Sequence, residues 1–263
     1  MDSSRLITVF RQLALEAGSR IMEIYRATEV GIQFKPDASP VTLADRMADV
    51  IIAAGLRAAF PELPLVTEEQ AGTHAVQAST FLIVDPLDGT KEFIRHGRDF
   101  TVNIAYVQQG IPRLGVIYAP AWKRLFYTQP DGKAVEEAGP FNRNTLGRVT
   151  PLRVNAAPDN TALRVVASKS HRDMTTDEYV GLYTGASLRT GSSLKFCLVA
   201  AGEADFYPRL TSIMEWDTAA GDAILRGAGG EVLRLDDHHP LSYGKPGWRN
   251  PPFLALAPGV VIR

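Results

Sequence analysis

Asp85 and Asp88 stand three residues apart at the end of an apolar run, Phe81-Leu82-Ile83-Val84, and a third carboxylate, Asp217, lies where a helix is expected to begin. Glu68 and Glu69 follow another short apolar stretch, residues 63–67. Together these side chains offer enough hard oxygen atoms for more than one magnesium ion, and several such ions beside a phosphate suit phosphate-ester hydrolysis. The residues between and after the two aspartates fit the same purpose. Pro86 has no amide hydrogen to satisfy, so a bend there turns both carboxylates toward one point and leaves the Leu87 carbonyl free as a further ligand. Gly89 permits an unusual backbone angle and lets its amide approach a phosphate, and the Thr90 hydroxyl can orient a water. Three or more carboxylates in one cleft repel one another strongly unless a cation joins them.

Read singly, each group has a plainer explanation. Asp-Pro and Asp-Gly are common turn formers, Glu68-Glu69 reads as a solvated loop, and Asp217 as a helix cap. What favours a shared site is their common placement at strand ends or at a helix start.

The elements that must position these groups follow from periodicity. Leu6, Val9, Phe10, Leu13, Ala14, Ala17, Ile21 and Ile24 recur at helical spacing, which predicts a long amphipathic helix. Residues 35–40 read as a loop or hairpin tip. Thr42 caps a second helix with Ala48, Ile51, Ile52 and Leu56 on its inner face, and Asp45 falls in its first turn. Strands are predicted at 63–67, 81–84, 101–106, 113–118 and 125–128, with 131–146 a surface hairpin and connection. Beyond these come strands near 164–167, 204–207, 231–235 and 253–257 and helices at 194–201 and 218–227. This pattern predicts paired helices on a largely antiparallel sheet, then alternating α and β. A boundary is expected near residues 150–162, dividing the chain into units 1–157 and 158–263.

Composition narrows the function classes. The 263 residues are 45% hydrophobic and 22% charged, enough for a large core. Lysine plus arginine number 28 against 29 acidic residues, so nothing points to polymeric nucleic acid. The five histidines show no zinc spacing, which leaves magnesium as the expected metal. No signal peptide or apolar span is visible, and the single cysteine, Cys197, suits a reducing compartment. A cytoplasmic protein is expected, with peripheral inner-membrane association left open. Whether it is a monomer or a homodimer is not legible.

Asp85-Pro86-Leu87-Asp88-Gly89-Thr90 together with Trp216-Asp217 resembles the signature pair of the inositol monophosphatase superfamily, the lithium-sensitive, magnesium-dependent phosphatases. Lys91-Glu92-Phe93-Ile94, Phe100-Thr101-Val102-Asn103-Ile104, Gly191-Ser192-Ser193-Leu194-Lys195-Phe196-Cys197 and Trp216-Asp217-Thr218-Ala219-Ala220-Gly221 are similar to its bacterial 3′(2′),5′-bisphosphate nucleotidase branch, the CysQ-type proteins. The resemblance covers nearly the whole chain. It implies an α/β (α+β) fold layered α-β-α-β-α, of the sugar phosphatase type. It implies metal ligation by Glu68, Asp85, the Leu87 carbonyl, Asp88 and Asp217, with two Mg²⁺ ions, a third weaker site and Mn²⁺ as a substitute. Asp45, Glu68 and Thr90 would activate the water. Substrate would meet Leu87, Asp88, Gly89, Thr90, Ser168, Lys169, Ser170, Gly191, Lys195, Arg209 and Asp217.

For substrate choice, inositol phosphatases usually carry a glutamate upstream of Trp-Asp that contacts the ring. The matching region here reads Tyr207-Pro208-Arg209-Leu210, and an arginine suits a second phosphate or a base edge. The expected reaction is removal of the 3′-phosphate of adenosine 3′,5′-bisphosphate (PAP), giving AMP, with the sulfated nucleotide PAPS as a related substrate. Two alternatives stand beside it: an inositol or sugar monophosphatase of broad specificity, and a nucleotide- or metal-sensing protein without turnover. Lys195 has the competing reading of a side chain snorkelling from an apolar helix, and His171 that of a surface turn.

Overall fold

The computed structural model describes residues 1–27, 33–34, 40–169, 174–183 and 185–263. Helix α1 (Ser3–Tyr25) buries Leu6, Phe10, Leu13, Ala14, Ala17 and Ile21 as one stripe. Asp2 caps it, Oδ1 accepting from the amides of Ser4 and Arg5. Helix α2 (Leu43–Ala59) starts in a reciprocal cap. Thr42 Oγ1 accepts from the Ala44 amide (3.2 Å), and Asp45 Oδ2 accepts from the Thr42 amide (2.7 Å). Ala48, Ile52 and Leu56 of α2 are buried, while Ile51 is only partly so. The loop expected at 35–40 lies, but for Pro40, outside the described residues.

Both helices cover one face of a seven-stranded sheet whose strands follow in chain order: Leu65–Thr67, Thr80–Asp88, Thr101–Gln108, Ile111–Ala119, Arg124–Thr128, Ala134–Ala138 and Arg148–Pro151. Only the first pair is parallel. Side chains alternate as a pleat requires. Leu82, Val84, Val102 and Ile104 pack under α1 and α2, while Phe81, Ile83, Ala105 and Val107 face the other way. That second face is covered by α6 (Ala219–Gly227), which buries Ala219 to Leu225. Gly115 allows this approach, because a Cβ there would lie 2.6 Å from the Ala220 carbonyl oxygen.

Helix α5 (Leu194–Ala200) packs beside α6, and together they rest on a five-stranded mixed sheet. Its order is Ser187–Thr190, Val165–Ser168, Phe206–Arg209, Phe253–Leu256, Glu231–Arg234. Val180 and Tyr183, at the end of α4 (Met174–Gly181) and just past it, pack against the outer face of this sheet with Val165, Phe206 and Leu254. The layers therefore run helix, sheet, helix, sheet, helix, as expected.

Two readings are corrected. The strand expected at 81–84 continues to Asp88, and its register shifts between Asp85, opposite Asn103, and Asp88, opposite Thr101. Residues 131–146 are not wholly surface hairpin. They include the strand Ala134–Ala138, whose Glu137 is fully buried in a two-pronged pair with Arg11 (both contacts 2.6 Å). A glutamate-rich sequence hides that partner 126 residues away. No helix among the described residues is long and apolar enough to cross a membrane.

Candidate active site

The register shift in Thr80–Asp88 is where the chemistry starts. Pro86 and Leu87 are lifted from the ladder, and the Leu87 amide turns inward to donate to Asp85 Oδ1 (3.0 Å). Asp85 Oδ2 is buried and has no hydrogen-bond partner. Gly89 then adopts φ +94°, and a Cβ there would lie 2.6 Å from the Asp99 carbonyl oxygen, so only glycine fits. Directly after it, α3 (Thr90–Ile94) begins.

Carboxylate oxygens of Glu68, Asp85 and Asp217 all lie within 4.8 Å of one another. Glu68 follows the strand Leu65–Thr67, and Asp217 ends the 3₁₀ turn Glu215–Asp217 just ahead of α6. Asp217 is not an ordinary cap of α6: its Oδ2 accepts from the Met214 amide behind it (3.2 Å). Glu69 is not in this trio. Burial, and then the negative charges of Glu68, Asp88 and Asp217, push the Asp85 carboxyl well above the usual carboxylate range. Asp217 is pushed up likewise, by burial and then by Asp88 and Glu68. A buried acceptor with no donor, inside a set of mutually repelling hard oxygens, is the environment a divalent cation satisfies.

Asp88 stands beside the trio and is raised by burial against the opposing pull of Lys195 and Ser193. Its Oδ2 accepts from the Ser193 amide (2.6 Å) and lies 2.7 Å from Ser193 Oγ. Ser193 Oγ also lies 2.6 Å from the Asp217 carbonyl oxygen, and it accepts from Asn103 Nδ2 (2.9 Å). Asn103 in turn is held by the Thr101 hydroxyl (2.9 Å). This buried chain from the seven-stranded sheet to Asp88 and Asp217 escaped the sequence reading. An asparagine inside an apolar strand and a serine at the start of α5 carry no periodic signal, and the family resemblance around them was the pointer.

Thr90 and Asp45 meet as the resemblance implied. Thr90 Oγ1 donates to Asp45 Oδ1 (2.9 Å), and Thr42 Oγ1 donates to Asp45 Oδ2 (2.6 Å). Burial raises the Asp45 carboxyl, and the bonds from Thr42 temper the rise. With its hydrogen committed, the Thr90 oxygen is left as an acceptor toward the cleft.

That cleft, about 280 Å³, is lined by Glu68, Asp88, Gly89, Thr90 and Asp217, and also by Ser168, Lys169, Gly191, Lys195, Tyr207 and Arg209. Lys195 does not snorkel. It is buried, its Nζ donates to the Ser192 carbonyl (2.6 Å), and the ammonium lies 5.2 Å from the Tyr207 ring centre. Burial lowers its pKa to about 8, opposed mainly by Asp88. Arg209 lines the same cleft, with a long contact to the Thr211 carbonyl (3.4 Å) and a side-chain hydrogen bond with Tyr207. Lys169 is mostly exposed and pairs with Asp99 (3.4 Å). Ser170 and His171 lie outside the described residues. The site thus holds a carboxylate cluster, a hydroxyl poised by a buried acid, and the cations Lys91, Lys169, Lys195 and Arg209 along one cleft.

The chain and its fold have known counterparts. Residues 2–261 match the inositol monophosphatase family. The 3′(2′),5′-bisphosphate nucleotidase CysQ of Escherichia coli K12 is 42% identical over 249 residues, covering 90% of this chain and 96% of the relative. That of Haemophilus influenzae is 31% identical, over 89% and 85%. The crystal structure of CysQ from Bacteroides thetaiotaomicron, a bacterial member of the inositol monophosphatase family, superposes with a TM-score of 0.83 at 37% identity, covering 98% of each chain. On these matches, the chain belongs to the inositol monophosphatase family.

Proposed function

We propose that this protein is a metal-dependent 3′(2′),5′-bisphosphate nucleotidase that hydrolyses PAP to AMP and phosphate and also accepts PAPS. The observation that carries the reading is the convergence of Glu68, Asp85 and Asp217 around a buried, partnerless Asp85 oxygen, in a cleft that also holds Lys195 and Arg209. The CysQ relatives support the same substrate class.

In this reading Glu68, Asp85, the Leu87 carbonyl, Asp88 and Asp217 hold two Mg²⁺ ions, with Mn²⁺ as a substitute. Bound there, divalent cations supply Lewis acidity to the phosphoryl oxygens and to a water. Thr90 holds that water by one hydrogen, since its own hydrogen is committed to Asp45, and Glu68 takes part on the other side. The Gly89 amide and the start of α6 add partial positive charge near the transferred phosphoryl group. Asp88 and Asp217 are kept in place by Ser193. Lys195 and Arg209 pair with the second phosphate, with Ser168, Lys169 and Gly191 beside the sugar.

The catalytic apparatus would divide between units 1–157 and 158–263. The seven-stranded sheet ends at Pro151 and the five-stranded sheet starts at Val165, which supports a division between them. Phosphate release from PAP, PAPS and inositol 1-phosphate with Mg²⁺ tests the proposal. A clear preference for the bisphosphate is expected. Equal or better turnover of inositol 1-phosphate would favour a broad-specificity monophosphatase, and intact bound nucleotide would favour a sensor.

A further inference from the structure

Behind the carboxylates lies a buried network that the proposed reaction does not use. We infer that Glu215 is a positioning residue: paired with Lys245, it fixes the turn carrying Asp217 and so sets the geometry of the metal ligands. This rests on the reading of Asp217 as a ligand.

Glu215 is fully buried. Its Oε2 accepts from the Gly244 amide (2.7 Å), and its Oε1 accepts from the Lys245 amide (3.1 Å) and from Lys245 Nζ (2.6 Å). Lys245 Nζ also donates to Asn250 Oδ1 (2.7 Å) and to the Ser242 carbonyl. Asn250, itself buried, donates through Nδ2 to Thr218 Oγ1 (2.7 Å), and Thr218 Oγ1 donates to the Glu215 carbonyl (3.1 Å). Antiparallel pairing of Ile213 with Asn250 and of Met214 with Arg249 closes the clamp. Residues 242–250 thus grip 213–218 from end to end, and Asp217 sits within that grip.

The same segment reaches the opposite ligand. The Trp216 ring stacks on His74, with centroids 4.9 Å apart. His74 Nε2 donates to the carbonyl of Thr67, the residue before Glu68 (2.8 Å), and the His74 carbonyl accepts from Trp248 Nε1 (2.8 Å). A closed circuit of contacts therefore joins the end of the Glu68 strand, the Asp217 turn and residues 242–250.

Stability alone does not account for this arrangement. The Glu215 carboxylate is fully withdrawn from water while the Lys245 side chain stays 29% exposed. Burying that carboxylate carries a desolvation cost, and well-packed apolar side chains in place of buried charges often leave a fold as stable or more so. What apolar side chains cannot do is receive two amides and an ammonium along fixed directions, two residues from a ligand. Mg²⁺ tolerates little departure from its preferred octahedron. In Glu215→Gln the amide NH₂ must face a donor from Gly244 or Lys245, which shifts the turn.

The test measures Mg²⁺ binding by calorimetry without substrate, together with the melting temperature in EDTA and kinetics. The variants are Glu215→Gln, the double variant Glu215→Met/Lys245→Met, and Asp217→Asn. Glu215→Gln is expected to weaken Mg²⁺ binding by about 10-fold or more, with substrate KM at saturating Mg²⁺ unchanged within about two-fold. The double variant is expected to melt in EDTA no lower than the parent and still to bind Mg²⁺ weakly. Parental Mg²⁺ affinity in either Glu215 variant overturns the inference, as does failure of both to fold. If Asp217→Asn binds Mg²⁺ like the parent, the ligand reading itself falls. Weak binding in Asp217→Asn with normal binding in the Glu215 variants overturns the positioning role alone.

Discussion

Replacing Asp85 with asparagine should abolish activity while making the metal-free protein more stable. At the observed separations of 4.8 Å or less, two unit charges at an effective dielectric of about 20 repel by about 3.5 kcal/mol. Ionised Asp85 faces two such neighbours, Glu68 and Asp217, and both are half-buried, so solvent weakens the repulsion without removing it. Proton uptake caps the cost further, leaving about 2 kcal/mol to be recovered, or about 4 °C in melting temperature for a chain of this size. Asparagine fits the pocket. Its carbonyl can keep the bond from the Leu87 amide, and its NH₂ replaces an oxygen that no donor faces. The pH dependence has a definite sign. Asp85 and Asp217 have raised pKa values in the fold, so they favour the native state in acid, and that contribution is lost as pH rises through those values. The gain from Asp85→Asn should therefore be absent in acid and grow toward neutral and alkaline pH. Melting curves across pH, in EDTA and in Mg²⁺, read both effects. The parent should be stabilised by Mg²⁺ and the variant should not. A variant that melts lower than the parent in EDTA at neutral pH, or that keeps the Mg²⁺-dependent rise, would refute this electrostatic reasoning.

Other outcomes follow from the same geometry. Thr90→Val should lower kcat by about 10²-fold or more with little change in substrate KM, because the acceptor that holds the water is lost; Thr90→Ser should retain most activity, and steady-state kinetics separates the two. KM for the bisphosphate should rise above about pH 8, where Lys195 loses its proton, and Lys195→Arg should move that rise to higher pH. Arg209→Ala should raise KM for PAP by about 10-fold or more and leave a monophosphate substrate within about two-fold, as initial rates on the pair of substrates will show.

The sequence was most informative where pattern and chemistry coincide. The stripe on α1 follows from periodicity, the Thr42 cap from residue type, and the strand at Phe81 to Val84 from its continuous apolar run, and the structure bears them out. The motif around Asp85 was legible because Pro86 and Gly89 announce a break in the ladder, although the strand runs on through it to Asp88. Less visible were groups whose partners lie far along the chain. Ser193 and Asn103 look like ordinary positions until their 2.9 Å contact joins the two sheets' neighbourhoods. Glu215 sits next to Trp216-Asp217 and by sequence is as acidic as the proposed ligands. The structure turns it away, onto Gly244 and Lys245. Lys195 shows the converse: an apolar helix suggests snorkelling, yet the contacts with Tyr207 and Ser192 hold its ammonium in the cleft.

The proposed activity depends on divalent cations seated among Glu68, Asp85, Asp88 and Asp217. Anomalous scattering from a crystal soaked in Mn²⁺ measures this directly. Peaks bonded to the side chains of Glu68, Asp85 and Asp217 are predicted. Mn²⁺ bound elsewhere, with that cluster holding only water, would contradict the central claim.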